Sequence, residues 1–154
     1  MLNSLIASST KEKRKEWRKI KAVLLLFLTG AVITDLCKDK IYNVWVIPGM
    51  ITGLLMAFCS EPGRLSEALM TVVVTFLVLM PVYFLKGIAA GDVKLLLSTA
   101  SFLSFQECYS CILYSFLIAG AISLVIIIFK REKKTLHFAV PVLISTILVM
   151  GGIV

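Results

Sequence analysis

The sequence predicts an all-α, polytopic integral membrane protein with about six transmembrane helices. Three observations predict it. Hydrophobic residues make up 59% of the 154-residue chain and charged residues only 16%, against roughly 45–50% and about 25% in soluble domains. The mean hydropathy is +0.97. Apolar runs recur along the whole chain between short polar or Gly/Pro-bearing breaks, and about six spans of roughly 20 residues fit the length. A soluble globular domain and a disordered chain are both excluded. Backbone groups in lipid must be satisfied within their own segment, so the runs are expected to be helices.

Residues 1–21 are expected to form a basic head at the membrane interface, with Trp17 as its anchor. Basic residues ahead of an apolar run also open a signal peptide. No A-x-A-like site follows residues 23–33 and more apolar runs do, so the first run is read as a retained span. The membrane domain is expected over 22–154. Its first span, 22–36, runs into the polar turn Cys37-Lys38-Asp39-Lys40. The second, 44–58, contains Pro48-Gly49, where a kink is expected. Pro62-Gly63 marks the turn into the third, 67–85. A Gly/Ala loop over 86–91 leads to a short fourth span, 92–105, carrying Ser98, Thr99, Ser101 and Ser104. The fifth is 108–129, followed by a basic turn over 130–134, and the sixth is 138–154.

The net charge is +7, from 16 Lys+Arg against 9 Asp+Glu. The basic residues flank apolar runs and form no base-reading motif. Contact with the lipid bilayer is therefore expected, and nucleic-acid binding is not. The loops after spans 1, 3 and 5 share one face. That face and the opposite one, which carries the head and Arg64, hold similar basic charge, so charge alone leaves the orientation open. The four cysteines are too few and too scattered for a disulfide framework. Cys108-Tyr-Ser-Cys111 would need two more ligands to hold zinc. His137 and Cys37 fall on the other face and only Cys59 is left, so no metal is expected and two buried or interfacial thiols are the simpler reading. His137, the sole histidine, is read as an interfacial residue near the face that carries Asp35.

Acids at the ends of apolar runs carry the most information, because a charge beside hydrocarbon is costly. Asp35 ends span 1 and Asp92 begins span 4, so span parity puts both on one face. Two carboxyl groups brought together share a proton: one activates water while the other polarises a carbonyl. Structural roles stand beside this. Asp92, after Gly91 at a helix start, is equally an N-cap; Asp35 is equally an interfacial partner of Lys38 or Lys40. The opposite partial charges of the two helix ends favour a shared proton on Asp35 and the base role for Asp92.

The stretch Asp35-Leu-Cys-Lys-Asp-Lys-Ile-Tyr-Asn43, followed by Val44-Trp-Val-Ile-Pro-Gly-Met-Ile-Thr-Gly-Leu-Leu55, resembles the first signature of type IV prepilin peptidases. Gly87-Ile-Ala-Ala-Gly-Asp-Val-Lys-Leu-Leu96 resembles the second, the Gly-x-Gly-Asp motif of this aspartic protease class. His137-Phe-Ala-Val-Pro141 followed by Gly151-Gly152 is similar to the family's last span, so the resemblance runs from about Val23 to the C-terminus.

The resemblance implies a six-helix aspartic endopeptidase of the prokaryotic cytoplasmic membrane that needs no cofactor. Such enzymes cut the basic leader from prepilin substrates on the cytoplasmic side, typically after a Gly. By motif position Asp35 and Asp92 are the catalytic pair, and Asp39 falls on a variable position. Gly87, Gly91, Lys94 and Asn43 are implied in the loop or in substrate binding, with Lys94 equally readable as a snorkelling surface lysine. No Cys precedes Asp35, so the Cys-x-x-Cys methyltransferase segment of larger relatives is not expected. The chain is similar to the short subtype serving Flp/tight-adherence pili or a related Gram-positive version. Two positions depart from the pattern: Tyr42 replaces the usual Pro, and Ala89 replaces the first Gly of Gly-x-Gly-Asp, where a methyl restricts close backbone approach. Two other functions use the same residues: a small proton-coupled transporter with intramembrane acids, and a catalytically weakened homologue acting in pilus assembly.

Overall fold

The computed structural model describes residues 2–38, 43–60, 62–130 and 137–152. Among them are six helices and no strand: α1 (Leu2–Lys38), α2 (Asn43–Cys59), α3 (Arg64–Phe84), α4 (Ala90–Ala100), α5 (Phe105–Lys130) and α6 (Ala139–Met150). Asp39, Lys40 and Tyr42, and Arg131–Lys134 of the expected basic turn, lie outside the described residues. Three helical stretches are long and apolar enough to cross a membrane: Lys15–Lys38, Arg64–Phe84 and Phe105–Ile128. Asn43–Cys59 and Ala139–Met150 are shorter apolar helices.

Helix α1 is 37 residues long and passes without a break through the expected head boundary at 21/22. No Pro or Gly interrupts it before Gly30, so the change from basic to apolar residues alters its surroundings and not its backbone. Trp17 is half-buried, with the Arg64 guanidinium 4.2 Å above its ring. Helix α2 continues through Pro48. Helix α3 starts directly after Gly63, whose φ of 91° suits glycine. Its start is therefore three residues earlier than expected.

Helix α4 is the hub of the bundle and packs against every other helix. Its 11 residues rise only about 16 Å, about half the roughly 30 Å hydrocarbon thickness. Val93, Leu95, Leu96, Ser98, Thr99 and Ala100 are buried, so neighbouring helices and not lipid surround most of it. The expected fourth span ended at 105, but the chain leaves the helix at Ser101 and begins α5 at Phe105. Ser104 and Glu107 explain that restart. The Ser104 N–H and hydroxyl donate to Glu107 Oε2 at 3.1 and 2.8 Å, and the Glu107 N–H donates to Ser104 Oγ at 3.5 Å, a reciprocal cap.

Close approach of α2 to its neighbours depends on small residues. Val46, Gly49, Gly53 and Ala57 form its buried face, spaced three to four residues apart as one helical stripe requires. Phe27 of α1 packs on Gly49, while Ser101 and Phe102 meet Gly53. The Phe27 ring is stacked on Trp45 and Phe102, with centroids at 6.4 and 6.2 Å. The Trp45 indole N–H donates to the Phe27 carbonyl at 3.0 Å.

Polar contacts join α5 to α3 and α6. Cys108 Sγ lies 3.4 Å from Thr75 Oγ1. Cys111 Sγ lies 3.3 and 3.2 Å from the Ser145 and Thr146 hydroxyls, and Ser115 and Ser145 share a 2.6 Å hydrogen bond. Both thiols are free and buried. They serve helix packing, where each buried polar group needs a partner.

Candidate active site

Contacts between helix ends define two ends of the bundle. At one end Lys21 donates to the Met150 carbonyl at 3.3 Å and Arg64 to the Phe102 carbonyl at 3.1 Å. These contacts tie the spanning part of α1 to the end of α6, and the start of α3 to the turn after α4. The other end gathers the C-terminus of α1, the N-termini of α2, α4 and α6, and the loop after α3. Asp35, Asn43, Gly87, Gly91, Asp92 and Lys94 all lie at this end.

Asp35 sits in the last turn of α1 and is buried. Its Oδ2 accepts from the Ala139 N–H at 3.4 Å and lies 3.8 Å from His137 Nδ1. Ala139 is the first residue of α6, so the carboxylate faces free N–H groups and the positive end of that helix. Asp92 lies in the first turn of α4 and is half-buried. The two acids stand at the same end of the bundle, on helices α1 and α4 that pack against each other.

Asp92 is not the N-cap of α4. That position belongs to Ala89, and Asp92 stands three residues into the helix with Oδ2 accepting the Ala89 N–H at 3.4 Å. The contact is long, so it leaves most of the carboxylate's hydrogen-bonding capacity for other partners. The own-helix dipoles are only part of the field at Asp35, because α6 directs its N-terminus at that carboxylate and offsets the C-terminal end of α1.

The loop before α4 is tightly turned. Lys86 adopts a left-handed φ of 58°, and the Gly87 N–H donates to the Val82 carbonyl at 2.9 Å. A Cβ on Gly87 would stand 3.1 Å from Val82 Cγ1 and 3.2 Å from Val82 O, so glycine lets the turn close against α3. Ala89 has φ −80° and ψ 155°, extended backbone open to any residue, and it is exposed. The departure from glycine at this position therefore leaves the loop unstrained. Gly91 lies inside the first turn of α4. Lys94 Nζ donates to Asn43 Oδ1 at 3.0 Å, which joins the start of α4 to the start of α2 and links the two signatures directly.

Sequence reasoning placed His137 near this face but missed its contact with Asp35. The available signal was span parity, which puts the start of the sixth helix beside the end of the first. Among the described residues, no group of three or more His, Cys, Asp or Glu side chains is arranged to hold a metal.

The structure is thus an apolar helical bundle with two acids from separate segments at one end. The type IV leader peptidase family model matches residues 22–128, and the chain belongs to that family. The match includes Asp35 and Asp92 and stops before α6. No curated protein and no solved structure matches the chain.

Proposed function

We propose that this membrane protein is an aspartic endopeptidase that removes the basic leader from type IV prepilins of the Flp/tight-adherence kind. In this reading the six-helix bundle sits in the cytoplasmic membrane of a prokaryote with the short α4 enclosed by its neighbours, and the Asp35/Asp92 end faces the cytoplasm. What supports it most is that Asp35 and Asp92, one from each signature, stand at the same end of the bundle on helices that pack together.

The reaction follows from two carboxyl groups sharing one proton. The ionised member takes a proton from water as its oxygen attacks the scissile carbonyl. The protonated member donates to the carbonyl oxygen. The resulting tetrahedral diol collapses: the C–N bond breaks as the carboxyl that took the water proton passes it to the leaving amine, and the other carboxylate regains its proton from the diol hydroxyl. No covalent enzyme intermediate forms. The Lys94–Asn43 bond and the Gly87 turn keep the starts of α2 and α4 together around the pair. Co-expression with a short protein carrying a basic leader, a Gly and an apolar helix tests the function. A shortened product on a gel is expected; an uncut precursor, with proton-linked uptake by the same chain, would favour the transporter.

Native cysteines report the orientation. Cys37 near the end of α1 and Cys59 at the end of α2 are exposed, while Cys108 and Cys111 are buried. An impermeant maleimide added to intact cells is expected to label the Cys37→Ser variant, through Cys59, and to spare Cys59→Ser. The reverse pattern would turn the active end outward and contradict cytoplasmic cleavage.

A further inference from the structure

We propose that His137 is a positioning residue for Asp35. In this role its imidazole and the first turn of α6 hold Oδ2, so that Oδ1 is the oxygen presented to water and to Asp92. The inference rests on the peptidase reading above. The contacts of the Asp35 carboxylate with His137 and with the first residue of α6 fall on the same oxygen. The Ala139 N–H reaches Oδ2 at 3.4 Å, and His137 Nδ1 stands 3.8 Å from it. The histidine distance is beyond direct hydrogen-bond range, so in this role the imidazole reaches Oδ2 through one bridging water.

The location favours orientation over mere burial. Asp35 is on the last turn of α1, where its own helix offers free carbonyls and no free N–H. The groups that fix its rotamer must come from another element, and the Ala139 N–H at the start of α6 and His137, two residues before it, stand beside the carboxylate. Phe138 and Ala139 are buried, which anchors the backbone on which His137 is carried. The Phe138 ring packs against Phe116 of α5 at 5.5 Å. The side chain of His137 itself remains 25% exposed, so its replacement leaves the core intact.

The test uses the purified full chain, a synthetic precursor peptide and three proteins: wild type, His137→Phe and His137→Asn. Phe keeps a planar ring without a donor; Asn keeps an N–H near the place of Nδ1. Misplacing a reacting group by about an ångström costs up to roughly a hundredfold in rate. His137→Phe is therefore expected to lower kcat on the order of tenfold or more with KM and thermal stability unchanged, and His137→Asn to recover most of the loss. An unchanged kcat in His137→Phe, or equal losses in Phe and Asn, would overturn the proposal. Isotope-edited infrared spectra give a readout independent of turnover. The Asp35 band, identified by its absence in Asp35→Asn, is expected to shift in His137→Phe and much less in His137→Asn. An unmoved band would overturn the positioning role even if the wild type failed to cut the peptide, which by itself would count against the peptidase reading.

Discussion

Asp35→Asn and Asp92→Asn are each expected to abolish leader cleavage, with losses of roughly 10²–10⁴-fold or more, while the protein still inserts and folds. Asparagine is nearly isosteric with aspartate. In Asp35→Asn the side-chain carbonyl can still accept the Ala139 N–H that Asp35 Oδ2 accepts at 3.4 Å, so the α1–α6 contact survives. In Asp92→Asn the same holds for the 3.4 Å contact with the Ala89 N–H. An amide, however, neither takes a proton from water nor gives one to the scissile carbonyl at neutral pH. Asp39→Asn, at a variable position of the signature, is expected to retain most activity. Precursor and product sizes after co-expression check all three. Efficient processing by either of the first two variants would eliminate the dyad.

The largest effect on folding is expected at Gly49. A Cβ there collides with the Phe27 ring. That ring has no room to swing aside, because Trp45 and Phe102 stack on it at 6.4 and 6.2 Å. Overpacking of this kind costs about 1–3 kcal/mol, occasionally more, so Gly49→Leu is expected to separate α1 from α2 and lower the Tm in detergent by several degrees or more. Gly120 supplies the control. It lies on the exposed side of α5 with open space where its Cβ would go, so Gly120→Ala is expected to be neutral or to stabilise by up to about 1 kcal/mol. Equal Tm values for Gly49→Leu and the wild type would show that the glycine stripe does not set the α1–α2 approach.

Two of the helix boundaries were legible because each is marked by a residue with a backbone reason. Gly63 at positive φ starts α3, and the Gly87 turn precedes α4. Boundaries drawn from polarity alone fared worse. The change from basic to apolar residues at 21/22 contains nothing that ends a helix, so α1 continues through it. The break between α4 and α5 lies within a largely apolar stretch. It is marked by Ser104 and Glu107, a capping pair that hydropathy does not detect.

The candidate site divides in the same way. Asp35, Asp92, Gly87, Gly91, Lys94 and Asn43 belong to local motifs, and span parity suffices to bring them to one end. The Lys94–Asn43 bond and the approach of α6 to Asp35 depend on side-chain reach and helix packing across 51 and 104 residues of sequence, which no local pattern encodes. For the same reason the dipole of α6 at Asp35 could not be counted from the sequence, where only each acid's own helix is visible.

The most direct test of the central claim, that Asp35 and Asp92 together hydrolyse a leader peptide bond, is mass spectrometry of a synthetic precursor incubated with purified, lipid-reconstituted protein. The wild type is expected to yield two fragments that divide the peptide between its basic leader and its apolar segment, and Asp35→Asn and Asp92→Asn are expected to leave it intact. The same two fragments, formed at a comparable rate by either variant, would contradict the account.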